Sequence, residues 1–174
     1  MNNKEKISSP LTDRLDVLQA EWAREVPALD TDAMGIVGRL IYLGSALKDS
    51  ASQALMAHEL MYTDFDIIAT LRRAGEPYAL SPTALSGAVL LTSGAMTAAL
   101  KRLEARGLIV RTQASEDGRM RLVSLSAKGQ KLAESAANTR FKEAATAIQH
   151  ISAEDRAALV PLLRTLCLHL SAGE

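Results

Sequence analysis

The sequence predicts a mainly α-helical fold that includes one small β-ribbon. Apolar side chains recur at spacings of three and four over most of the chain, which is the period of an amphipathic helix. Aromatic residues make up only 3% of the sequence, so the core must consist of leucine, alanine, valine, isoleucine and methionine, which suit helices. Two short apolar runs, 108–110 and 122–125, flank a polar turn and predict a hairpin. Together these observations predict a winged helix-turn-helix with long N- and C-terminal dimerisation helices.

The N-terminal part of the chain predicts two helices. Apolar residues recur at helical spacing over 11–24, and Pro27 ends that first helix. The acids and hydroxyl at residues 30–32 cap a second and longer helix. We expect residues 1–10 to be a disordered lead-in and residues 11–60 to form N-terminal dimerisation helices.

The next predicted helix opens residues 61–126, the region expected to bind DNA. Thr63-Asp64-Phe65-Asp66 has the form of a capping box, with a hydroxyl and an acid three residues apart. This interpretation starts the helix at Asp64 and makes Asp66 its third residue, where an acid stabilises a helix. Gly75 follows two arginines and ends it.

A helix-turn-helix is predicted directly after this helix. Ser81 caps a helix whose first residue is Pro82, a position where the missing N–H costs nothing. A second helix, the size that fits a major groove, is capped by Thr92 or Ser93 and ends at Gly107. Its inward face carries apolar residues at Met96, Leu100 and Leu103, and its outward face carries Ser93, Thr97, Lys101 and Glu104.

Residues 127–174 predict two C-terminal dimerisation helices. The first follows Ser126, and the second follows a capping box that starts at Ser152. The helices at the two ends of the chain carry more apolar surface than the small central region needs to cover itself. A two-fold homodimer would bury this surplus and would place two recognition helices roughly 34–36 Å apart, about one turn of DNA.

The charge distribution indicates a polyanionic partner. The net charge is zero, but residues 72–131 contain ten basic and four acidic side chains, a local charge of +6 that the rest of the chain balances. The alternative is a solvated surface that segregates its charges by chance.

Composition argues against several other classes of protein. No apolar run approaches the ~18 residues of a membrane span, and the polar N-terminus lacks the apolar core of a signal peptide. The single cysteine, Cys167, cannot form an internal disulfide, which favours a reducing cytoplasm. We expect that thiol to be buried and inert. No glycine-rich phosphate loop, nucleophile elbow or metal-ligand spacing is present, so we expect no enzyme activity, no cofactor and no metal.

The expected DNA contacts lie on the two helices of the helix-turn-helix and on the ribbon. Hydroxyl and lysine side chains reach phosphates and base edges, and an arginine at a ribbon tip can enter a narrow minor groove. We expect Asp117 to orient Arg119 through a salt bridge. The alternative roles are helix caps and a solvated hairpin tip. The predicted contact residues are Ser81, Thr83, Thr92, Ser93, Thr97, Lys101, Arg119 and Arg121.

Asp117-x-Arg119, then Leu122-Val123-Ser124-Leu125-Ser126-x-x-Gly129, resembles the wing and the following helix start of the MarR family of bacterial transcription regulators. Residues 92–97 and 103–109 resemble the recognition helix of that family and its exit. The likeness covers about residues 32–170. It implies a homodimer that binds pseudo-palindromic operator DNA, usually as a repressor, and that loosens its grip when a small ligand binds.

A narrower resemblance is to the urate-responsive subset of the family, whose members carry an extra N-terminal helix with a tryptophan. Trp22 and Asp66 match two ligand residues of that subset, whereas its two basic positions fall at Ala99 and Ala105. The effector implied is aromatic or anionic, and urate is disfavoured because the arginine clamp is missing. The alternatives are a helix-capping role for Asp66 and an interface role for Trp22.

Two other functions remain open from the sequence. Ala98 and Ala99 lie where related recognition helices often carry bases, so base-specific hydrogen bonding should be thinner here. This observation keeps a winged-helix protein-interaction module without DNA binding as the alternative function. An enzyme is the other rival, and the acids Glu154 and Asp155 that would support it are explained by helix capping.

Overall fold

A computed structural model describes residues 12–89, 92–113 and 121–171, with only the backbone described for Ser93, Gln113, Arg121 and Ser171. It confirms a mainly helical fold with a small antiparallel sheet. The elements are α1 (Arg14–Glu25), α2 (Asp32–Met56), α3 (Tyr62–Arg73), β1 (Ala79–Leu80), α4 (Pro82–Ala88), α5 (Ser93–Ala105), β2 (Ile109–Gln113), β3 (Arg121–Leu125), α6 (Ala127–Ala147) and α7 (Ala153–Ser171). None of the described helices is long and apolar enough to span a bilayer. The chain divides into two units, residues 1–49 and 50–174.

The first unit pairs α1 with the start of α2. Asp13 caps α1 and, together with Asp16, accepts hydrogen bonds from the guanidinium of Arg39 on α2. These two carboxylates raise the pKa of Arg39. The helices lie so close that a Cβ at Gly38 would stand 2.8 Å from a methyl carbon of Leu15. Since α1 has no buried residue, the two helices are joined by these polar contacts and by their close approach at Gly38.

The second unit contains the hydrophobic core. Helices α3, α4 and α5, the sheet and the start of α6 meet there, and Ile67, Ile68, Leu71, Leu85 and Leu103 are fully buried. These apolar side chains account for the arrangement, since burial of a leucine or isoleucine stabilises a fold by about 1.5–3 kcal/mol.

The sheet has three strands in the order β1-β3-β2, all antiparallel. The predicted hairpin is β2 and β3, with Ile109 opposite Leu125. Strand β1 is a third strand that the sequence did not predict, and its Ala79 pairs with Ser124. A two-residue strand carries no readable alternation, so its pairing depends on the tertiary position of β3.

The predicted capping box at the start of α3 is wrong. The helix begins at Tyr62, its N-cap is Met61, and no side chain caps it. Thr63 and Asp64 already lie inside the helix, and Asp66 is its fifth residue. Thr63, the predicted cap, is therefore the second residue of the helix, and the neighbouring Asp64 carboxylate pairs with an arginine of α5.

The junction of the ribbon and α6 explains the Leu-Ser-x-x-Gly pattern. The Ser126 hydroxyl donates to the Gly107 carbonyl at 2.7 Å and accepts from the Gly129 N–H at 2.9 Å. A Cβ at Gly129 would come within 2.0 Å of the Leu108 carbonyl oxygen. The serine ties the exit of α5 to α6, and the glycine permits the close approach.

Helix α7 differs from the core helices because all its residues with described side chains are exposed in the single chain. The leucines Leu162, Leu168 and Leu170 are each at least 65% exposed. Cys167 is also exposed, which corrects the expectation of a buried thiol. The apolar spacing of α7 predicts a helix correctly, but none of the described residues of this chain covers it.

Candidate nucleic-acid interface

Helices α4 and α5 form the predicted helix-turn-helix. Ser81 caps α4, where its hydroxyl accepts from the Ala84 N–H at 3.1 Å. Thr92 caps α5, where its hydroxyl accepts from the Ala95 N–H at 3.3 Å. Both hydroxyls hold helix starts, and Thr83 in the first turn of α4 is exposed. The sequence left Thr92 and Ser93 open as the cap of α5, and the structure selects Thr92.

Helix α5 has one buried face and one exposed face. Met96, Ala99, Leu100 and Leu103 are between 0% and 6% exposed and belong to the core. Thr97, Ala98, Lys101 and Glu104 are exposed. The predicted outward face is thus confirmed, apart from the Ser93 side chain, which is not described.

Ala99 is a correction to the sequence-based interpretation. It was grouped with Ala98 at positions facing a ligand or DNA, but its side chain is 0% exposed within the core. The core side chains packed around a methyl group leave no room for an arginine at this position. Ala98 remains on the exposed face.

The tip of the wing lies outside the described residues. Asp117 and Arg119 fall in the segment 114–120, so their predicted salt bridge is not addressed. Arg121 is the first residue of β3 and pairs with Gln113 of β2, and its side chain is not described. The described strands bring the wing back to the helix-turn-helix through β3.

Several basic residues of the central region form salt bridges with acidic residues. Arg72 pairs with Glu134 at 2.8 Å, Arg111 with Glu104 at 3.2 Å, and Arg102 with Asp64 at 2.7 Å. Arg106 lies 3.6 Å from Glu59. The local charge of +6 therefore overstates the basic surface available to DNA, because acids that are distant in the sequence neutralise part of it in the fold.

The Asp64–Arg102 pair was missed by the sequence analysis. The Asp64 side chain is 4% exposed, whereas the Arg102 side chain is 40% exposed. The capping-box interpretation had already assigned a role to residues 63–66, and nothing in sequence spacing links two residues 38 positions apart. The sequence does contain one indication of the pair: Arg102 directly precedes the inward-facing Leu103, so it lies beside the buried face of α5.

A cavity of about 490 Å³ lies between α3 and α6 in the second unit. Asp66, Arg73 and Arg140 supply its charged lining, and Tyr62, Phe65 and Phe141 supply rings. Burial raises the pKa of the Asp66 carboxyl, and the positive charge of Arg73 opposes that shift. The capping role weighed for Asp66 is wrong, because at the fifth helical position it borders this cavity.

Trp22 borders a separate cavity of about 420 Å³ in the first unit. The lining is mainly apolar and includes Leu18, Leu29 and Met34, and the indole is 53% exposed. Each of the two predicted ligand residues, Trp22 and Asp66, therefore borders a cavity of its own unit.

Comparison with known proteins gives concordant matches. A family model described as MarR family matches residues 59–120. The HTH-type transcriptional regulator PecS of Dickeya dadantii is 29% identical over 155 residues, which is 89% of this chain and 93% of PecS. These matches support a MarR family transcriptional regulator.

Solved structures of MarR-type proteins share the fold. A mutant MarR from E. coli complexed with operator DNA has a TM-score of 0.65 at 21% identity, over 83% of this chain and 96% of that one. NadR in complex with 4-hydroxyphenylacetate has a TM-score of 0.59 at 27% identity, over 75% of this chain and 91% of that one. In a MarR-type arrangement α4 and α5 are the helix-turn-helix, and β2 and β3 form the wing.

Proposed function

We propose that this MarR-type regulator binds pseudo-palindromic operator DNA as a homodimer, represses transcription and responds to a small ligand. The DNA-binding part of this proposal rests on the difference between the two faces of α5, one buried and one exposed. Ala99 and Leu103 are 0% exposed, whereas Thr97 and Lys101 on the other side are exposed. A rigidly seated helix with one exposed polar face is what major-groove recognition requires. A regulator that binds chromosomal DNA acts in the cytoplasm of a bacterium.

The proposed DNA contacts follow from this geometry. Thr97, Lys101 and Ser93 would face base edges and phosphates from α5, and the hydroxyls of Ser81 and Thr83 would meet a phosphate at the start of α4. Thr92 would add its backbone at the start of α5. We place Arg119 and Arg121 on the wing against the minor groove or its phosphates, with Asp117 orienting Arg119.

The proposal of a homodimer rests on exposed apolar side chains outside the core. Helix α7 exposes Leu162, Leu166 and Leu170, and α2 exposes Ile36 and Ile41. Rows of exposed apolar side chains on a helix mark association sites in water. A two-fold arrangement would bury the same faces of both copies and pair the two recognition helices.

The proposed ligand site is the cavity at Asp66. Three arginines line it beside three aromatic rings: Arg73, Arg72, which also pairs with Glu134, and Arg140, which also pairs with Glu143. Guanidinium groups bind planar anions and stack on rings, so the cavity fits an aromatic anion. The NadR complex with 4-hydroxyphenylacetate is consistent with a ligand-responsive regulator. Relative to the urate-responsive subset, the arginines here come from α3 and α6 instead of the recognition helix.

Binding to DNA is tested by selecting duplexes from random-sequence DNA with the purified protein and titrating the selected duplex at several salt concentrations. Affinity should fall steeply with salt, with a slope of about −0.9 per phosphate contacted. Arg119→Ala should weaken binding about tenfold. Arg164→Ala on α7 is the matched control and should bind as the wild type does. Selection of no duplex would favour the winged-helix protein-interaction module instead.

Ligand response is tested with urate and 4-hydroxyphenylacetate as probes, added to the protein–duplex complex. Asp66→Asn should retain DNA affinity and shift the probe concentration that releases the duplex. Asp49→Asn, an exposed acid of α2, is the control. Identical release curves for wild type and Asp66→Asn would remove Asp66 from the site, and absence of release by either probe would reject this ligand class.

A further inference from the structure

The second unit contains a buried acid for which capping gives no role. Asp64 is 3% exposed and lies at the third position of α3, beside the core residues Ile67 and Ile68. A buried carboxylate is expensive unless a partner of opposite charge and hydrogen bonds compensate it. Its partner is Arg102 on α5, with Nη2 2.7 Å from Oδ1 and Nε 3.4 Å from Oδ2.

The geometry of this ion pair constrains the orientation of the Arg102 guanidinium on α5. Both contacts come from one guanidinium, and such a two-point contact fixes the orientation of the planar group as well as its distance. The bond to Asp64 raises the pKa of Arg102 above its ordinary value, so the arginine stays charged. Arg102 directly precedes the fully buried Leu103, so the ion pair and the apolar contact act on the same turn of α5.

A second arginine holds the end of the same helix. Arg106, the C-cap of α5, donates to the Glu59 carbonyl at 2.5 Å and to the His58 carbonyl at 3.5 Å. Glu59 has a φ of 53°, the left-handed conformation in which glycine is usual. Lys128 of α6 donates in turn to the Arg106 carbonyl at 3.0 Å. The last two turns of α5 are thereby fastened to the segment between α2 and α3 and to α6.

The first turns of α5 have a different character. There Thr97 and Ala98 are exposed, and Lys101 follows on the same side. Side-chain tips lie about 5–6 Å from the axis of a helix. A rotation of about 20° would move such a tip by about 2 Å, more than a hydrogen bond to a base edge tolerates. The exposed face can read DNA only if the rotation of the helix is fixed, and the ion pair adds an oriented contact to the apolar packing that seats it.

We propose that Asp64 and Arg102 are positioning residues for DNA recognition, with their ion pair setting the rotation of α5 so that its exposed face meets the major groove. The inference rests on the proposed function, because it assigns these two residues a part in DNA binding without a contact to DNA.

For the Asp64→Asn variant, electrostatics alone and loss of positioning predict opposite changes in DNA affinity, so the proposal can be tested. Replacing Asp64 by asparagine removes a negative charge from the DNA-binding unit, and long-range electrostatics then predicts tighter binding to a polyanion. Loss of positioning predicts weaker binding. Arg102 is 40% exposed, so a direct phosphate contact is the competing role for that residue, and it gives no reason for Asp64→Asn to weaken binding.

The experiment is a double-mutant cycle on full-length protein with the duplex that the wild type selects from random-sequence DNA. Asp64→Asn, Arg102→Gln and the double variant are titrated at a temperature at which circular dichroism shows each to be folded. We expect each single variant to bind about tenfold more weakly, and the double variant to bind no more weakly than the worse single one. Glu134→Gln, which removes the same charge but breaks the α3–α6 pair with Arg72 instead, should bind at least as tightly as the wild type does.

Two further variants keep the outcome decisive. Asp64→Glu retains the charge and should recover part of the affinity. Arg102→Lys retains the charge and loses the two-point contact, so it should weaken DNA binding. This variant replaces Asp64→Asn in the test if Asp64→Asn does not fold. Unchanged or tighter binding by Asp64→Asn, or by Arg102→Lys in its place, overturns the inference. Failure of the wild type to select any duplex overturns the proposed function itself, which is a separate result.

Discussion

Helices α5 and α7 both carry leucines at helical spacing, yet their surroundings are opposite. In α5, Leu100 is 6% exposed and Leu103 is fully buried. In α7, Leu162 is 65% exposed and Leu166 is 38% exposed. The first helix packs against α3 and β2 of its own unit, whereas the second lies outside the core. Hydrophobic spacing thus predicts a helix without predicting what covers it.

Helix α6 combines both situations in one element. Its first half buries Gly129, Ala133 and Ala136 against the core, and further along Phe141 is 78% exposed. The small residues allow close packing to the sheet and α3, and the exposed half continues beyond the core. On our proposal the exposed surfaces of α6 and α7 are completed by a second copy. Four changes would break or sharpen this comparison, from the largest effect on the free energy of unfolding to the smallest.

Leu103→Ala should have the largest effect. It removes a fully buried side chain from the α5 stripe and leaves a cavity, at a cost of about 2–5 kcal/mol in the free energy of unfolding. Urea denaturation followed by circular dichroism measures the change. Leu168→Ala is the matched control on α7, and a loss there as large as at Leu103 would show that the two stripes are equally buried in solution.

Gly129→Ala tests the packed half of α6. The added methyl would meet the Leu108 carbonyl oxygen, so the helix must shift, which should cost about 1–3 kcal/mol in the free energy of unfolding. Gly87→Ala in α4 is the control, because nothing lies within 4 Å of its added Cβ and alanine favours a helix. Equal stability of the two variants in urea would contradict the close approach of α6 to the Leu108 carbonyl.

Leu166→Glu tests the exposed stripe of α7. On the proposed dimer it should weaken self-association about a hundredfold or more while the core of the second unit stays folded. Leu168→Glu, about 160° away around the helix, should have a smaller effect. Sedimentation velocity measures association. A wild-type protein that is monomeric at micromolar concentration would reject the homodimer.

Asp66→Asn should have the smallest effect on stability, and the sign follows from its raised pKa. Burial raises the pKa of this carboxyl in the folded protein above the unfolded value, so protonation favours folding. The stability it contributes is present below the unfolded pKa and is lost as the pH rises through the folded pKa. Asparagine removes that dependence. The variant should therefore be slightly more stable than the wild type at neutral pH, with the difference vanishing in acid, as measured by thermal unfolding from pH 3 to 7 in steps of about one unit.

The sequence located the helix-turn-helix closely because its signals are local. A serine before a proline starts α4, a threonine caps α5, and a glycine with a φ of 67° follows its end at Gly107. Each signal acts through neighbouring backbone groups, so the fold of the rest of the chain does not alter it.

The errors have a common cause. Thr63 and Asp66 matched the local pattern of a capping box, but α3 begins at Tyr62, and the fold pairs the neighbouring Asp64 carboxylate with Arg102 from a distant helix. Ala99 looked like an open position on a recognition helix, but it is in the core. The short strand β1 has no pattern of its own and exists because β3 lies beside it. In each case a long-range partner decided the outcome.

By itself the sequence determined the helical class of this protein, the order of its helices and the outward face of α5, because capping and apolar periodicity are set by residues a few positions apart. The tertiary structure alone decided which charges are neutralised, which cavity Asp66 borders and which leucines remain exposed. These properties depend on residues that come together only after the chain has folded, and their spacing along the sequence carries no trace of that proximity.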